Sequence, residues 1–271
     1  MDNPHEELTS LAREARREVV RMIGRLGVGH VGGCLSIIEA LVHLYYKEMN
    51  IRPEQPDWAD RDRFILSKGH AGPALYTLLG MRGYFGKDLF ATLNRPGTQL
   101  PSHCDMRLTK GVDMTAGSLG QGLSSAIGMA LAARLDKKSY RTFCLIGDGE
   151  QQEGQVWEAA MYAASRKLDN LAAILDDNGM QIDGMTDDIN SVRPMEQRWN
   201  AFGWATVVID GHDFGELEKA FAFARATQGK PTAIVMKTIK GKGISLAENK
   251  CGSHNMPLSP EQTEAALREL Q

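Results

Sequence analysis

The chain has 271 residues, of which 42% are apolar and 24% charged, a composition typical of a globular protein with a substantial core. Its net charge of −3 at pH 7, with scattered lysines and arginines, excludes the basic surface expected of a nucleic-acid-binding or membrane-surface protein. No apolar stretch approaches the roughly 20 residues of a transmembrane helix, and the four cysteines form no CxxC pair, so we expect reduced thiols in a cytoplasmic protein.

The N-terminal part of the chain alternates predicted helices with glycine-rich and polar turns. Apolar residues recur at helical spacing, and the helices that they predict cover residues 5–26, 36–49 and 74–84. The segment GVGHVGG at 27–33 separates the first two helices. Ser36 is the expected start of the second helix, with Glu39 three residues further on. A long polar loop is expected at 94–115.

Short apolar runs, each followed by a polar turn, predict the strands of a sheet. These runs cover residues 63–66, 142–146, 171–175, 205–210 and 232–237. The helices expected between them cover residues 124–135, 156–168 and 216–226. Strands that are apolar throughout and alternate with helices are typical of a parallel sheet covered on both faces. We therefore expect an α/β fold, doubly wound and mainly parallel with helices on both faces, as one domain over residues 1–271 with a peripheral tail at 245–271.

Polar residues occupy the turns after three of these strands, at His70, Asp148 and Asn178. In an open parallel sheet ligands bind at the carboxyl ends of the strands, and a right-handed strand–helix–strand connection brings Asp148 and Asn178 to the same edge. A carboxylate and an amide oxygen at neighbouring strand ends can share a hard cation such as Mg²⁺, with phosphate oxygens completing its shell. Gly147 and Gly149 let a diphosphate approach the backbone closely.

Each of these motifs has a common structural interpretation when it is taken alone. GDG at 147–149 is a frequent turn, DNG at 177–179 is a frequent loop, and a single histidine is more often a surface or core residue than a catalytic one. The two motifs together, each directly after an apolar strand, favour a site for a metal and a diphosphate. The glycine order of GSLGQG at 117–122, which follows no convincing strand, argues against a nicotinamide-dependent dehydrogenase.

The spacing of GDG at 147–149 and Asn178 resembles the thiamine diphosphate motif, and the surrounding sequence resembles the transketolase family. The other segments that carry this resemblance are GHVGG (29–33), RDRFILSKGHAGPALY (61–76), TAGSLGQGLSSAIGMALA (115–132), DGHD (210–213), KPTAIVMKTIKGKG (230–243) and SHNMPL (253–258). The resemblance implies the thiamine-diphosphate-binding fold, with thiamine diphosphate and Mg²⁺, or another divalent cation such as Ca²⁺ or Mn²⁺, as cofactors.

The resemblance also implies roles for individual residues. The implied metal ligands are Asp148, Asn178 and the backbone carbonyl of Met180. The implied cofactor contacts are His70, Gly117, Leu119, Asp148, Gly149, Asn178, Ile182 and His254. The implied catalytic histidines are His70 and His254, near the diphosphate and thiazolium, and His30 and His103, which line the substrate channel.

Glu153 matches a glutamate that transketolases use between subunits, although an acid there also suits a helix N-terminus. The small-residue helix at 124–133 is expected either as a close-packed core helix or, as we favour, as an interface helix. The chain departs from the family pattern after His30, where Val31 replaces a proline, and around His103, where SHCD replaces a GHPE run. The loops around these two histidines are therefore expected to differ in shape from those of the family.

In transketolases the cofactor lies between two domains, and the second domain supplies the glutamate that activates it. After residue 258 this sequence offers one short helix, with Ser259 and Pro260 as its start signals. Either the enzyme is split over two polypeptides or the chain is a fragment, and we favour the split enzyme. The resemblance therefore implies the N-terminal subunit of a two-subunit transketolase, which moves a two-carbon ketol unit from a ketose phosphate to an aldose acceptor. The expected partner is a separate C-terminal subunit carrying the pyrimidine-side domain, in an α2β2 assembly. The alternatives are another thiamine-diphosphate-dependent ketol or acyl transferase subunit, or a non-catalytic cofactor-binding protein.

Overall fold

The computed structural model describes residues 5–182 and 184–271 of the chain. The α-helices of this part are α1 (Glu6–Leu26), α2 (Val31–Leu35), α3 (Ile38–His43), α4 (Gly72–Met81), α5 (Gln121–Leu135), α6 (Gly154–Ser165), α7 (Thr186–Asn190), α8 (Met195–Ala201), α9 (Phe214–Ala226) and α10 (Pro260–Glu269). The strands are β1 (Val28–Gly29), β2 (Arg63–Leu66), β3 (Thr142–Gly147), β4 (Leu171–Asp177), β5 (Ala205–Asp210), β6 (Thr232–Lys237) and β7 (Met256–Pro257).

Five of these strands form one parallel sheet in the order β2–β3–β4–β6–β5. They begin and end within two residues of the predicted apolar runs. The central strands β3 and β4 are buried at every position, as expected of strands that are covered on both faces. The prediction of an α/β fold with a parallel sheet is therefore confirmed.

Helices cover both faces of the sheet, and successive strand residues point to opposite faces. Phe143 and Leu145 of β3 belong to one core, with helices α1, α3, α4 and α9. Cys144 and Ile146 belong to the other core, with helices α5, α6 and α8. Because each face has its own layer of helices, the loops at the carboxyl end of the sheet are supported from both sides.

The predicted helix at 36–49 is not one helix, and the prediction that Ser36 begins it is wrong. Helix α2 ends before Ser36, α3 follows, and a π-helical turn at Leu44–Glu48 completes the segment. Ser36 is buried, and its hydroxyl donates a hydrogen bond to the Asp176 carboxylate at 2.8 Å instead of capping a helix. The carboxylate of Asp176, on the distant strand β4, thus accepts the hydrogen bond of the hydroxyl that the sequence spacing predicts as a helix cap.

The last residues of the chain pack back onto its beginning. Strand β7 pairs antiparallel with β1, placing Met256 opposite Gly29. Ser259 caps the N-terminus of helix α10, and its side chain and that of Gln262 form a capping box. Leu258, Ala266 and Leu270 are buried in the core that contains helices α1, α3, α4 and α9. Residues 245–271, which we expected at the periphery, therefore contribute to that core. No helix in the described ranges is both long enough and apolar enough to cross a membrane.

Candidate active site

A cleft of about 250 Å³ opens at the carboxyl ends of β2, β3 and β4. The register of β3 and β4 aligns Gly147 with Asp176, so the turns that carry Asp148 and Asn178 leave the sheet side by side. The predicted site residues that line this cleft are His70, Leu119, Asp148, Gly149, Glu153, Asn178, Met180, Ile182 and His254. The structure therefore brings together residues from five separate segments of the chain.

Asp148 lies in this cleft with its side chain almost fully buried. Its Oδ1 accepts a hydrogen bond from the Gly149 N–H at 2.8 Å, and its Oδ2 accepts one from the Thr186 hydroxyl at 2.9 Å. Burial, together with the neighbouring charge of Asp176, raises the pKa of Asp148 to about 6. A carboxylate that is costly to ionise here gains from a bound cation, which stabilises its charged form.

Hydrogen bonds fix the orientation of the Asn178 amide. Its Nδ2 donates to Asp176 Oδ2 at 2.8 Å, and its Oδ1 accepts from the Met180 N–H at 3.1 Å. Reversing the amide would place a donor against the Met180 N–H and an acceptor against the carboxylate. Asp176 thus determines which end of the Asn178 amide carries the oxygen available to a cation.

Two buried lysines give the cleft positive charge. Lys68 Nζ lies 2.6 Å from Asp176 Oδ2 and donates to the Gly33 carbonyl at 2.7 Å. Lys240 is 1% exposed, and the only hydrogen bond of its side chain in the described part of the chain is a long one, 3.4 Å, from Nζ to the Gln181 carbonyl. Burial, which disfavours the charged form, lowers the pKa of Lys240. Both lysines line the cleft and suit a doubly charged anion such as a diphosphate.

A second buried acid, Glu150, ties three loops of the site together. Its carboxylate accepts hydrogen bonds from the Ser67 hydroxyl, from the Gly120 N–H at 2.8 Å and from the Gly147 N–H at 2.9 Å. Burial raises the pKa of this carboxyl group. Glu150 thereby holds the turn before α5 and the loop after β2 against the end of β3.

Four histidines form a cluster beside the cleft. The ring centroid of His30 lies 5.2 Å from that of His70, 5.7 Å from that of His103 and 5.3 Å from that of His254. Burial lowers the pKa of all four, that of His254 to about 4, so the rings are neutral at pH 7. No ring of this cluster makes a hydrogen bond to another described residue, which leaves its nitrogens available to a ligand.

The remaining predicted residues lie at the edges of this arrangement. Gly117 is exposed and does not line the cleft. Ile182, at 62% exposure, and Glu153 lie at the rim, where little of the chain covers them. Sequence reasoning missed Lys68, Glu150 and Lys240, although the segments that contain them carry the family resemblance. Lys68, between Ser67 and Gly69, and Lys240, between Ile239 and Gly241, have no local pattern that distinguishes them from exposed lysines.

The residues present fit a divalent cation with a diphosphate better than a cation alone. Within the described ranges, no group of three histidine, cysteine, aspartate or glutamate side chains could hold a metal ion. Asp148 offers one carboxylate, Asn178 one oriented amide oxygen and Met180 a backbone carbonyl, which leaves an octahedral ion short of ligands. The Cβ of any residue replacing Gly149 would lie 3.0 Å from the Gln181 Cβ, so Gln181 would have to shift by a few tenths of an ångström to accommodate it.

Comparison with known proteins gives consistent matches over nearly the whole chain. The family described as "Transketolase, thiamine diphosphate binding domain" matches residues 9–270. The 6-deoxy-6-sulfo-D-fructose transketolase subunit SqwG of Clostridium sp. (strain MSTE9) is 54% identical, covering 100% of this chain and 98% of that protein. An apulose-4-phosphate transketolase subunit of Phocaeicola vulgatus is 38% identical, covering 98% of this chain and 94% of that protein.

A solved structure shows the same fold within a longer chain. Transketolase from Leishmania mexicana superposes with a TM-score of 0.92 at 31% identity, covering 97% of this chain but 41% of that one. This chain therefore spans about two fifths of the length of that transketolase, and nearly the full length of the two proteins named as subunits.

Proposed function

Because this chain belongs to the transketolase family as a thiamine diphosphate binding domain, we propose that it works as the N-terminal subunit of a two-subunit transketolase. The proposed reaction moves a two-carbon ketol unit from a ketose phosphate, or a ketose with another anionic end, to an aldose acceptor. Its full-length match to two relatives named as transketolase subunits supports the split arrangement. The partner would be a separate C-terminal subunit carrying the pyrimidine-side domain.

In this proposal Asp148, Asn178 and the Met180 carbonyl hold Mg²⁺, or another divalent cation such as Ca²⁺ or Mn²⁺, against the diphosphate. The Gly149 backbone, His70, Lys68 and Lys240 neutralise or hydrogen-bond the diphosphate from the walls of the cleft. Leu119, Gly117 and Ile182 contact the rest of the cofactor at the open side. Thiamine diphosphate, when bound, supplies the electron sink for cleavage of the carbon–carbon bond.

The four clustered histidines serve the sugar. Neutral imidazoles can donate a hydrogen bond from one nitrogen and accept one at the other, which matches the hydroxyl and carbonyl groups of a ketose. His254 and His70 are the members of the cluster that also line the cleft, and their ring centroids are 5.1 Å apart. We assign proton transfer at the reacting hydroxyl to His70 and His254, and binding of the sugar to His30 and His103.

Assembly is proposed to use the side of the molecule on which α5 and α6 lie. Glu153 is exposed at the start of α6, where it is available to a neighbouring subunit. We propose self-association within an α2β2 complex, with helix 124–133 and Glu153 at the interface. Free cysteines, three of them buried, support a cytoplasmic location.

The observation that carries this proposal is the convergence of Asp148, Asn178, two lysines and two histidines on one cleft. It also separates the proposal from its alternatives. A cofactor-binding protein without activity needs the metal and diphosphate residues but has no use for a cluster of four neutral histidines. Another thiamine-diphosphate-dependent transferase would share the cleft and differ in its products.

The test is an assay of ketol transfer, with thiamine diphosphate and Mg²⁺, for the chain alone and for the complex purified from its source cells. The donors to be compared are 6-deoxy-6-sulfo-D-fructose and apulose 4-phosphate, for which the two relatives are named, and xylulose 5-phosphate. We expect transfer by the complex only, and its loss with Asp148→Ala while the circular dichroism spectrum is unchanged.

Activity of the chain alone would show that the activating acid lies within it and that the split is wrong. Cofactor binding without transfer by the complex would favour the non-catalytic alternative. A product that does not correspond to transfer of a two-carbon unit would favour another thiamine-diphosphate-dependent transferase.

A further inference from the structure

A cavity of about 330 Å³ lies outside the cofactor cleft, between the first half of α1, the end of α10 and the loops that follow β5 and β6. We call it the α1–α10 pocket. It shares none of its lining residues with the cofactor cleft. Its volume reaches the lower end of the range for pockets that enclose a whole small ligand. The α1–α10 pocket is therefore large enough for a small metabolite.

Cationic side chains outnumber acidic ones in the walls of the α1–α10 pocket. The cations are Arg13, Arg16 and Lys242, and the acids are Glu39 and Glu269. Arg16 is paired with Glu39, with 2.7 Å between Nη2 and the carboxylate. The side chains of Arg13 and Lys242 make no hydrogen bond or ion pair with a residue that the structure describes. Two cations at this pocket thus lack an internal counter-charge.

Arg16 gives the pocket a buried hydrogen-bond donor of fixed orientation. The residue is 7% exposed. Its Nε donates to the Lys242 carbonyl at 3.1 Å, and its Nη2 donates to the Glu39 carboxylate at 2.7 Å. Nη1 has no partner among the described residues, which leaves it for a ligand in the pocket. A guanidinium that is already held in place loses little entropy when it binds an oxyanion.

The two acids of the pocket have their hydrogen bonds made within the chain. His212 Nε2 accepts from the Ile239 N–H at 2.9 Å, so Nδ1 carries the ring proton and donates to Glu39 at 3.0 Å. The Glu269 carboxylate accepts from the Ser245 N–H at 2.6 Å and from the Ser245 hydroxyl at 2.9 Å. The charge that remains unmatched in the pocket is therefore positive.

An apolar surface lies beside these charges. Ala12, Phe214 and Leu270 line the pocket, and all three are buried. An inorganic anion gains nothing from such a surface, whereas the carbon chain of an organic acid loses contact with water against it. Positive charge next to an apolar wall thus fits an oxyanion group carried on a short carbon chain.

We propose that the α1–α10 pocket binds a small organic acid through carboxylate or phosphate groups, with Arg13, Arg16 and Lys242 as the donors and the carbon chain against Phe214. Binding here is independent of the proposed ketol transfer, because no residue of the pocket is assigned to the metal, the cofactor or the sugar. The loop after β6 contributes to both sites, since Lys240 lines the cleft and Lys242 lines the pocket.

The test measures binding of 3-phosphoglycerate to the full chain by isothermal titration calorimetry, with inorganic phosphate and glycerol for comparison. 3-Phosphoglycerate carries a carboxylate and a phosphate on a short carbon chain, and it has no aldehyde or ketone group for ketol transfer. We expect it to bind more tightly than inorganic phosphate, which lacks the carbon chain. Glycerol, which lacks the charge, should not bind measurably.

Arg13→Gln and Lys242→Met each remove one cation and leave the buried ion pair of Arg16 intact. We expect each to weaken binding of 3-phosphoglycerate about fivefold, because one charge-assisted hydrogen bond is lost. The matched controls are Arg25→Gln and Lys230→Met, which change the net charge equally at exposed positions outside the pocket. Neither control should change the affinity.

Glu269→Gln should act in the opposite direction. The amide keeps an oxygen for the hydrogen bonds from Ser245 and removes a negative charge beside the ligand, so 3-phosphoglycerate should bind about twofold more tightly. A variant that merely failed to fold would not gain affinity.

Four results would overturn the proposal. They are no binding of 3-phosphoglycerate by the wild-type chain, inorganic phosphate binding as tightly, unchanged affinity in both pocket variants, and an equal loss in the controls. Unchanged affinity in Arg13→Gln and Lys242→Met would place the ligand elsewhere, with the cofactor cleft as the other cationic cavity.

Discussion

The charge state of Asp148 couples the proposed cation site to pH. Because burial and Asp176 raise its pKa to about 6, the metal-free carboxyl group keeps its proton up to that pH. A divalent cation binds the carboxylate, so it must displace this proton at lower pH. Above pH 6 no proton is displaced, and affinity should no longer depend on this group.

We therefore expect the affinity of the chain for Mg²⁺ in the presence of thiamine diphosphate to fall below pH 6, approaching about tenfold per pH unit. Titration calorimetry at pH 7.5, 6.5, 5.5 and 5.0 measures it. Asp148→Asn is the control, since it has no proton to displace and should bind weakly without this pH dependence. Constant affinity in the wild type across this range would show that Asp148 does not bind the cation.

The Lys68–Asp176 ion pair is the most buried one described, with side-chain exposures of 3% and 0%. Burial alone would raise the pKa of Asp176, but Lys68 and hydrogen bonds hold it below its usual value. Asp176 therefore stays ionised inside the protein because of its partner. Removing only one member leaves a buried charge without compensation.

Lys68→Met should lower the free energy of unfolding by about 3–5 kcal/mol, measured by urea denaturation. The double variant Lys68→Met, Asp176→Asn should recover part of this loss, because no unpaired charge remains. Lys87→Met, which breaks the exposed Lys87–Glu14 pair, is the control and should cost at most about 1 kcal/mol. A loss for Lys68→Met as small as that of the control would mean that water reaches Asp176.

At the scale of single elements, the outer sides of α5 and α6 carry small and apolar residues. Leu135, Met161 and Tyr162 are exposed at 82%, 54% and 43%. Gly128 is exposed, and a Cβ built there meets no atom within 4 Å. A side chain at this position therefore leaves the subunit's own packing untouched while projecting from the proposed interface.

Gly128→Glu should weaken self-association in the complex, because a charge would be buried between subunits, without lowering the stability of the chain itself. Sedimentation velocity across a dilution series measures the assembly state, and thermal unfolding of the isolated chain measures its stability. Ala222→Glu, on the exposed side of α9, is the matched control. Unchanged assembly in Gly128→Glu would move the interface away from α5.

How well an element could be predicted depended on where its stabilising contacts lie. The strands were predicted within two residues because a continuous apolar run carries its own signal. Helix α5 begins three residues earlier than predicted, at Gln121, where Glu150 accepts a hydrogen bond from the preceding Gly120 N–H. The segment around Ser36 failed for the same reason, since its partner Asp176 lies far away in sequence. Contacts between distant residues override local propensity at both places.

At the scale of the whole molecule, topology explains why so much of the site could be anticipated. Asp148 and Asn178 had to meet because neighbouring parallel strands end at one edge, and the histidines were found by resemblance. Lys68, Glu150 and Lys240 could not be found from the sequence, because a lysine or glutamate is normally exposed and only its buried partners reveal it. The metal, cofactor and catalytic roles of all the predicted site residues, Gly117 and Ile182 among them, remain predictions.

The pairing of β1 with β7 has a consequence for the order in which the chain is made. A ribosome has released the last strand of the main sheet, β6, before it reaches Lys240, His254 and the β7 residues that hold His254 beside His30. A nascent or prematurely terminated chain can therefore contain all five strands of its main sheet while it still lacks the fourth imidazole and a lysine of the cleft. Synthesis of the sheet strands and assembly of the histidine cluster are thus separate events.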